Sequence, residues 1–218
     1  FARSETVLCN AVMIISWGLC LVMVSHAVAA IMLPIVLELI RAMDLGPRSK
    51  TARRLLLSMA WGTVAGSNLT LLSSARASLA LELYGQWRQE AGLETESIGF
   101  LDYSAGAIPV SLVSLLLAMF VLRLAFPPEG IDIRPALRRL NEKVESLGPL
   151  SRRESTTALV ICAMIATMIW TGPQGLGVTA ILFSGLLFVL QLLSWEDAER
   201  YVNWGVALMY GGAIAIGS

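Results

Sequence analysis

The stretch Gly62 to Ala77 constrains this chain more than any other. It lies inside Leu55 to Tyr84, a segment otherwise apolar enough to sit in a membrane, yet it carries Gly62, Gly66, Ser67, Asn68, Thr70, Ser73, Ser74 and Arg76. Glycine interrupts a helix through its backbone freedom, and short hydroxyl side chains do so by bonding the local main chain. An interruption releases main-chain N–H and C=O groups. In lipid such groups are tolerated only when buried in protein or lining a watery cavity. The pattern therefore predicts a discontinuous helix over 54–84, held among other helices.

Composition places the chain in a membrane. Only 15% of its residues are charged and 56% are hydrophobic, with a mean hydropathy of +0.70. A soluble domain carries about 25% charged residues. Net charge is zero, so nothing in the charge balance points to nucleic acid. Cys9, Cys20 and Cys162 all sit in apolar runs and read as small buried hydrophobes rather than a disulfide framework or a metal site. The chain begins at Phe1 and ends within an apolar run at Ser218, which suggests a piece of a longer protein.

Taken in order, the chain predicts an all-α polytopic bundle. Val7 to Ile40 holds one clearly charged side chain, Glu38. As a single helix it would be about 50 Å long against a hydrocarbon core of about 30 Å. Two half-helices forming a re-entrant hairpin over 5–41, with the tip near Val24, Ser25 and His26, suit that length; one long tilted span is the alternative. Arg41, Arg48, Lys50, Arg53 and Arg54 mark the following loop as cytoplasmic, and Glu90, Glu94, Glu96 and Asp102 mark 85–104 as external. A span is expected over 105–126. The linker 129–155 is again rich in arginine, hence cytoplasmic, and Ile131, Ile133, Leu137, Leu140 and Val144 allow either a surface helix or a solvated connection. Spans over 156–170 and 176–193 flank a tight turn at Thr171 to Gly175, and a further helix begins within 203–218.

Three stretches together resemble the divalent anion:sodium symporters, the dicarboxylate and sulfate carriers of the ion transporter superfamily. Val24 to Pro34 resembles their Ser-Asn-Thr hairpin tip running into Met-Leu-Pro. Gly66 to Ala77 is similar to their broken helix, with Thr70 at its threonine and Ser73 to Ala77 at Gly-Ser-Pro-Pro-Asn. Asn203-Trp204-Gly205-Val206 with Gly211-Gly212 matches a third motif. The resemblance covers nearly the whole chain but only about the middle of such a transporter. It implies an inner (plasma) membrane location, a homodimer, a small anionic substrate and Na+ as coupling ion, with no cofactor. This chain departs from the pattern where the family's asparagines stand. Counted back from Pro34, Ser-Asn-Thr falls on Val24, Ser25 and His26, while a one-residue slip puts Ser25 and His26 on Ser and Asn instead; the asparagine is missing either way, and Ala77 occupies the second asparagine position.

The residues themselves suggest the chemistry of such a site. Helix N-termini at a break favour anions. Ser25, His26, Ser73, Ser74 and Arg76 are the candidate substrate-binding residues. Arg76 is a cation deep in an apolar segment, where charge is costly and by default functional; the bland alternative is snorkelling or a pair with Glu82. Ser25, Gly66, Ser67, Asn68 and Thr70 supply the oxygens for a sodium site, although hydroxyls and amides in membrane helices also bridge helices. His26 is the only histidine, and imidazole titrates near pH 6.5 when unperturbed, so a proton is the other candidate coupling ion. The expected function is secondary transport of a small anion coupled to sodium or protons. A helical scaffold or regulatory subunit is the alternative, and no hydrolase or metalloprotease motif suggests an enzyme.

Overall fold

The computed structural model describes residues 2–93, 98–171, 176–202, 204–205, 208–209 and 211–212. All regular structure among them is α-helical. The elements are α1 (Ala2–Leu19), α2 (Ser25–Ala42), α3 (Lys50–Gly66), α4 (Ala75–Glu90), α5 (Phe100–Ala125), α6 (Arg134–Leu147), α7 (Arg152–Thr171), α8 (Leu176–Val189) and α9 (Trp195–Tyr201). α2, α5 and α7 are long and apolar enough to cross a membrane. The chain forms two compact units, Phe1–Gly148 and Pro149–Ser218.

In the first unit α3 is the hub and packs on α1, α2 and α5. Between membrane helices the apolar effect gives no net drive, because lipid tails are as apolar as leucine; close backbone approach supplies van der Waals contact instead. Gly62 and Gly66, one turn apart on α3, provide it. A Cβ at Gly62 would strike the Met13 main chain, and one at Gly66 would come within 2.8 Å of Cys20 Cβ and 2.9 Å of the Trp17 carbonyl oxygen. Around this seam Cys9, Val12, Cys20, Val28, Val36, Leu55 and Leu69 are buried. Met13 of α1 and Ala65 of α3 together meet Leu115 and Ala118 of α5.

α1 and α2 are 18 residues each, about 27 Å apiece, close to the roughly 30 Å hydrocarbon core. They are joined by a compact turn: Leu21 N–H donates to the Gly18 carbonyl (3.0 Å) and Met23 N–H to that of Leu19 (3.1 Å). α2 keeps Pro34 in its interior. It ends where Asp44 adopts φ 51° and Leu45 N–H closes back on the Ile40 carbonyl at 3.1 Å, a left-handed stop that aspartate tolerates better than most residues.

The linker after α5 is not simply solvated. Ile133 and Ala136 of α6 are buried in the core of the first unit, Ile131 and Leu140 pack against it, and Lys143 bridges to Glu38 of α2 at 2.7 Å. Leu137 and Val144 stay exposed, so the apolar stripe of α6 is divided between protein and surroundings. In the second unit α7 and α8 lie against each other. α8 stops short of the apolar run's end at Leu193. Gln191 takes φ 54°, and Leu192 N–H and Leu193 N–H both turn back to the Leu187 carbonyl. Ser194 then caps α9 by accepting Asp197 N–H at 3.1 Å. The expected turn residues 172–175 and most of 203–218 lie outside the described set.

The glycine seam makes a direct prediction. Gly62→Ala places a methyl group against fixed main chain and should lower the thermal midpoint by an amount equivalent to about 1–3 kcal/mol. Gly18→Ala, where nothing lies within 4 Å, should be neutral or mildly stabilising as a helical glycine replaced by alanine. Melting curves of the two purified variants decide the matter; equal midpoints would dissociate the seam from stability.

Candidate functional site

α3 ends at Gly66 and the chain resumes helix only at Ala75. Local hydroxyl chemistry shapes the intervening eight-residue path. Ser67 Oγ donates back to the Val64 carbonyl (2.8 Å), which competes with helix continuation. Leu69 N–H donates to the Gly66 carbonyl at 3.1 Å. Ser73 Oγ accepts Thr70 N–H (3.1 Å) and donates to the Thr70 carbonyl (2.6 Å), folding 70–73 into a tight turn. Ser74, at φ −150° and ψ 118°, is the extended residue from which α4 starts.

This path meets the α1–α2 tip. Thr70 Oγ1 donates to the Leu21 carbonyl at 3.3 Å, and Ser25 N–H donates to the Ser73 carbonyl at 3.3 Å. Ser25 opens α2 and Ser73 lies two residues before α4, so the contact brings two helix N-termini together. Neither start has a side-chain cap: Val24 has no oxygen to offer, and Ser74 makes no cap bond although its position would allow one. Each helix N-terminus leaves up to four N–H groups without intrahelical partners and carries about half a positive charge. Two such ends side by side, with no side-chain cap at either and one donor of α2 taken by the Ser73 carbonyl, form a locus that favours an anion.

The candidate residues divide around this locus. Ser73 is fully buried and Thr70 nearly so, and their hydroxyls hold the loop and the tip in place. Ser74 is buried at the start of α4. Ser25 is half-buried, while His26 and Arg76, in the first turns of α2 and α4, are exposed. The Glu82 side chain lies outside the described set. Among the proposed cation ligands, Gly66 and Ser67 are buried within the helix end, and each carbonyl or hydroxyl that already makes one bond retains a further lone pair. Asn68 points elsewhere. It lines a cavity of about 640 Å³ with Trp61, Val64, Leu81, Tyr103 and Asp102, and none of Ser25, His26, Ser73, Ser74 or Arg76 shares that lining.

Two residues that support the site escape a reading by motif. Trp17 Nε1–H donates to Ser111 Oγ at 2.7 Å, and Ser111 donates in turn to the Ala65 carbonyl, so α1, α5 and the end of α3 are tied one turn below the tip. The available signal was chemical: an indole N–H inside an apolar run needs an acceptor, and Ser111 is one of few hydroxyls in the α5 span.

Helices apolar enough to cross a bilayer, two of them packed on α3, which breaks off where the released backbone groups find partners inside the protein, define an integral membrane protein. The chain belongs to the family described as the sodium:sulfate symporter transmembrane region, which it matches over residues 3–218. It is 26% identical over 124 residues to dicarboxylate transporter 1, chloroplastic, of Spinacia oleracea, covering 56% of this chain and 22% of that protein. With a putative malate transporter of Bacillus subtilis it shares 24% over 173 residues, 78% of this chain and 36% of the relative. With a sodium-dependent dicarboxylate transporter of Staphylococcus aureus it shares 25% over 220 residues, 87% of this chain and 41% of the relative. The chain thus spans less than half the length of these relatives, which are transporters rather than enzymes. The third resemblance, Asn203 to Val206 with Gly211-Gly212, falls largely outside the described residues.

Ser73 offers a test of the loop. Ser73→Ala removes both side-chain bonds within 70–73, keeps the main-chain bond from Ser73 N–H to the Thr70 carbonyl (3.1 Å) and leaves the buried Thr70 N–H without an acceptor, a loss of about 1–3 kcal/mol. Amide hydrogen exchange should rise across 67–75 and at Ser25, with the α5 span unchanged. Unaltered exchange at Ser25 would show that the tip does not depend on this turn.

Proposed function

We infer that this chain is part of a secondary active transporter for a small anion, a dicarboxylate, sulfate or similar species, coupled to sodium or protons. The observation that carries the reading is the pair of helix N-termini, neither with a side-chain cap, joined at Ser25 and Ser73. Membership of a sodium:sulfate symporter family and the printed names of the relatives support the same class of cargo. In this reading the anion lies against the first turns of α2 and α4, where Ser25, His26, Ser74 and Arg76 face it and Ser73 holds the floor. The guanidinium of Arg76 meets two oxygens of a carboxylate or sulfate at once. A coupling Na+ takes oxygens from Ser25, Gly66, Ser67 and Thr70; Asn68, which lines the cavity with Tyr103 and Asp102, is left out of that set. The α1–α2 pair is the re-entrant hairpin, its tip reaching the break from the cytoplasmic side, and the complete transporter works as a homodimer in the inner (plasma) membrane.

The anion assignment is tested by uptake of labelled dicarboxylate and of sulfate into proteoliposomes holding the full transporter. Arg76→Ala should nearly abolish uptake. Arg76→Lys keeps the charge but turns a two-point fork into a point charge, and its apparent affinity should fall about tenfold, the equivalent of one charge-assisted bond. Native affinity in the alanine variant would remove Arg76 from the site.

The coupling ion is tested at His26, which stands within the frame where relatives of this pattern carry asparagine. Uptake is measured under a sodium gradient alone and a pH gradient alone, for the native protein and His26→Asn. If His26 carries a coupled proton, the native protein responds to the pH gradient and the variant loses that response while gaining sodium dependence. Uptake driven by sodium only, with the same pH profile in both proteins, assigns the coupling to sodium and gives His26 no proton to carry.

A further inference from the structure

We propose that Glu5, at the end of α1 remote from the tip, is a positioning residue for the anion locus: it sets the axial register of α1 on α3, and that register sets whether tip and break meet. The proposal rests on the reading of the tip and break as the anion site.

Glu5 is fully buried. Its carboxylate sits in a cradle of three successive main-chain donors, with Oε2 accepting Glu129 N–H (3.1 Å), Gly130 N–H (3.1 Å) and Ile131 N–H (3.4 Å). Consecutive amides converging in this way form an anion-binding nest. Gly130 makes it possible at φ +75°, a conformation that costs glycine little. The other oxygen, Oε1, takes the hydroxyl of Thr51, in the first turn of α3. One residue along, buried Arg54 of α3 donates to Thr6 Oγ1 at 3.3 Å. Glu129 completes the clamp. It accepts Ser49 Oγ–H at 2.7 Å and Thr51 N–H at 3.0 Å across the start of α3. These bonds, the Ser49 hydroxyl first, lower its pKa to about 2, so it stays ionised at any working pH. One buried carboxylate thus fastens the start of α1 to the start of α3 and to the loop leaving α5.

The physical argument concerns what resists sliding. Between clamp and tip, α1 meets α3 through Gly62 and Gly66, and contact between a helix and a glycine surface is close but not directional. An axial shift weakens packing contacts by part of their well depth, whereas it takes a hydrogen bond out of range altogether. Among the described residues the directional contacts gather toward the two ends: the Glu5 cluster at one, and at the other Thr70–Leu21, Ser25–Ser73, the relay from Trp17 through Ser111 to the Ala65 carbonyl and a long thiol contact from Cys20 Sγ to the Thr63 carbonyl at 3.7 Å. Glu5 and Leu19 are separated by about 21 Å of continuous helix. Both tip bonds are already 3.3 Å long. A slide of one residue's rise, about 1.5 Å, would carry both beyond hydrogen-bonding range.

The test compares Glu5→Ala, Glu5→Gln and Thr51→Val in the full transporter, with amide exchange and uptake measured on the same preparations. Glutamine keeps the shape: its carbonyl oxygen can fill the nest, and its amide can donate to the Thr51 hydroxyl, which then donates to Glu129. Both readouts should therefore stay near native. Glu5→Ala empties the nest, and exchange at Ser25 should rise about tenfold, the worth of a lost hydrogen bond. The KM for the anion should rise by a similar factor while the rate at saturation changes less. Thr51→Val removes only the hydroxyl link and should move both readouts in the same direction by a smaller factor, about two- to threefold; it carries the test if the alanine variant does not fold. Fast exchange confined to 128–131 with Ser25 unchanged would overturn the proposal, because the clamp would then be local. Faster exchange at Ser25 with an unchanged KM would instead overturn the placement of the anion at the tip, leaving the register mechanism intact.

Discussion

A main-chain hydrogen bond from Ser25 N–H to the Ser73 carbonyl joins the two irregular segments of the first unit. The constraint behind it is general. Backbone groups released within a membrane must be satisfied by protein or by a wet cavity. The chain answers by setting one interruption against another. The α1–α2 tip supplies the Leu21 carbonyl to Thr70, and the break supplies the Ser73 carbonyl to Ser25. The starts of α2 and α4 meet at this contact, and the positive ends of two helix dipoles make such a place favourable to negative charge.

The surrounding helices make that arrangement hold. Gly62 and Gly66 let α1 lie against α3 at backbone distance. Trp17 and Ser111 bring α5 to the same level. At the opposite end, Glu5 and Glu129 bind the starts of α1 and α3 to the loop after α5. The design separates roles among chemically similar residues. Ser67, Thr70 and Ser73 bend and brace the backbone, while Ser25, Ser74 and Arg76 stand at the starts of α2 and α4. Hydroxyls near a break are therefore not interchangeable, and their hydrogen-bond partners, rather than their presence, distinguish support from contact.

The helical class and the membrane setting were legible in the sequence because both depend on composition and on run length. Apolar stretches such as Ala105 to Leu122 are bounded by charge at the length a bilayer demands, and no neighbour is needed to read them. The interruption between Gly62 and Ala77 was legible for a similar reason, since glycine and short hydroxyl residues act on their own backbone. The end of α8 was less so: a left-handed Gln191 stops the helix inside an apolar run, a local choice that hydropathy does not record.

Tertiary structure alone decided which interruption meets which, and where each polar side chain is spent. Asn68 reads as a companion of Thr70, two residues away, yet it lines a cavity with Tyr103 and Asp102 while Thr70 turns to Leu21. Glu5 reads as an unremarkable charge at the edge of an apolar run, yet it is buried in a nest built from residues 129–131. Neither fact has a local signature, because hydrogen bonds between distant segments depend on the register of packed helices rather than on neighbouring residues. Sequence by itself determined that these helices form, that some are long and apolar enough to cross a bilayer, and where the α3–α4 segment breaks; the packing of α1 on α3 decided that the break and the hairpin tip meet, because the hydrogen bonds at either end of that pair join segments far apart in the chain.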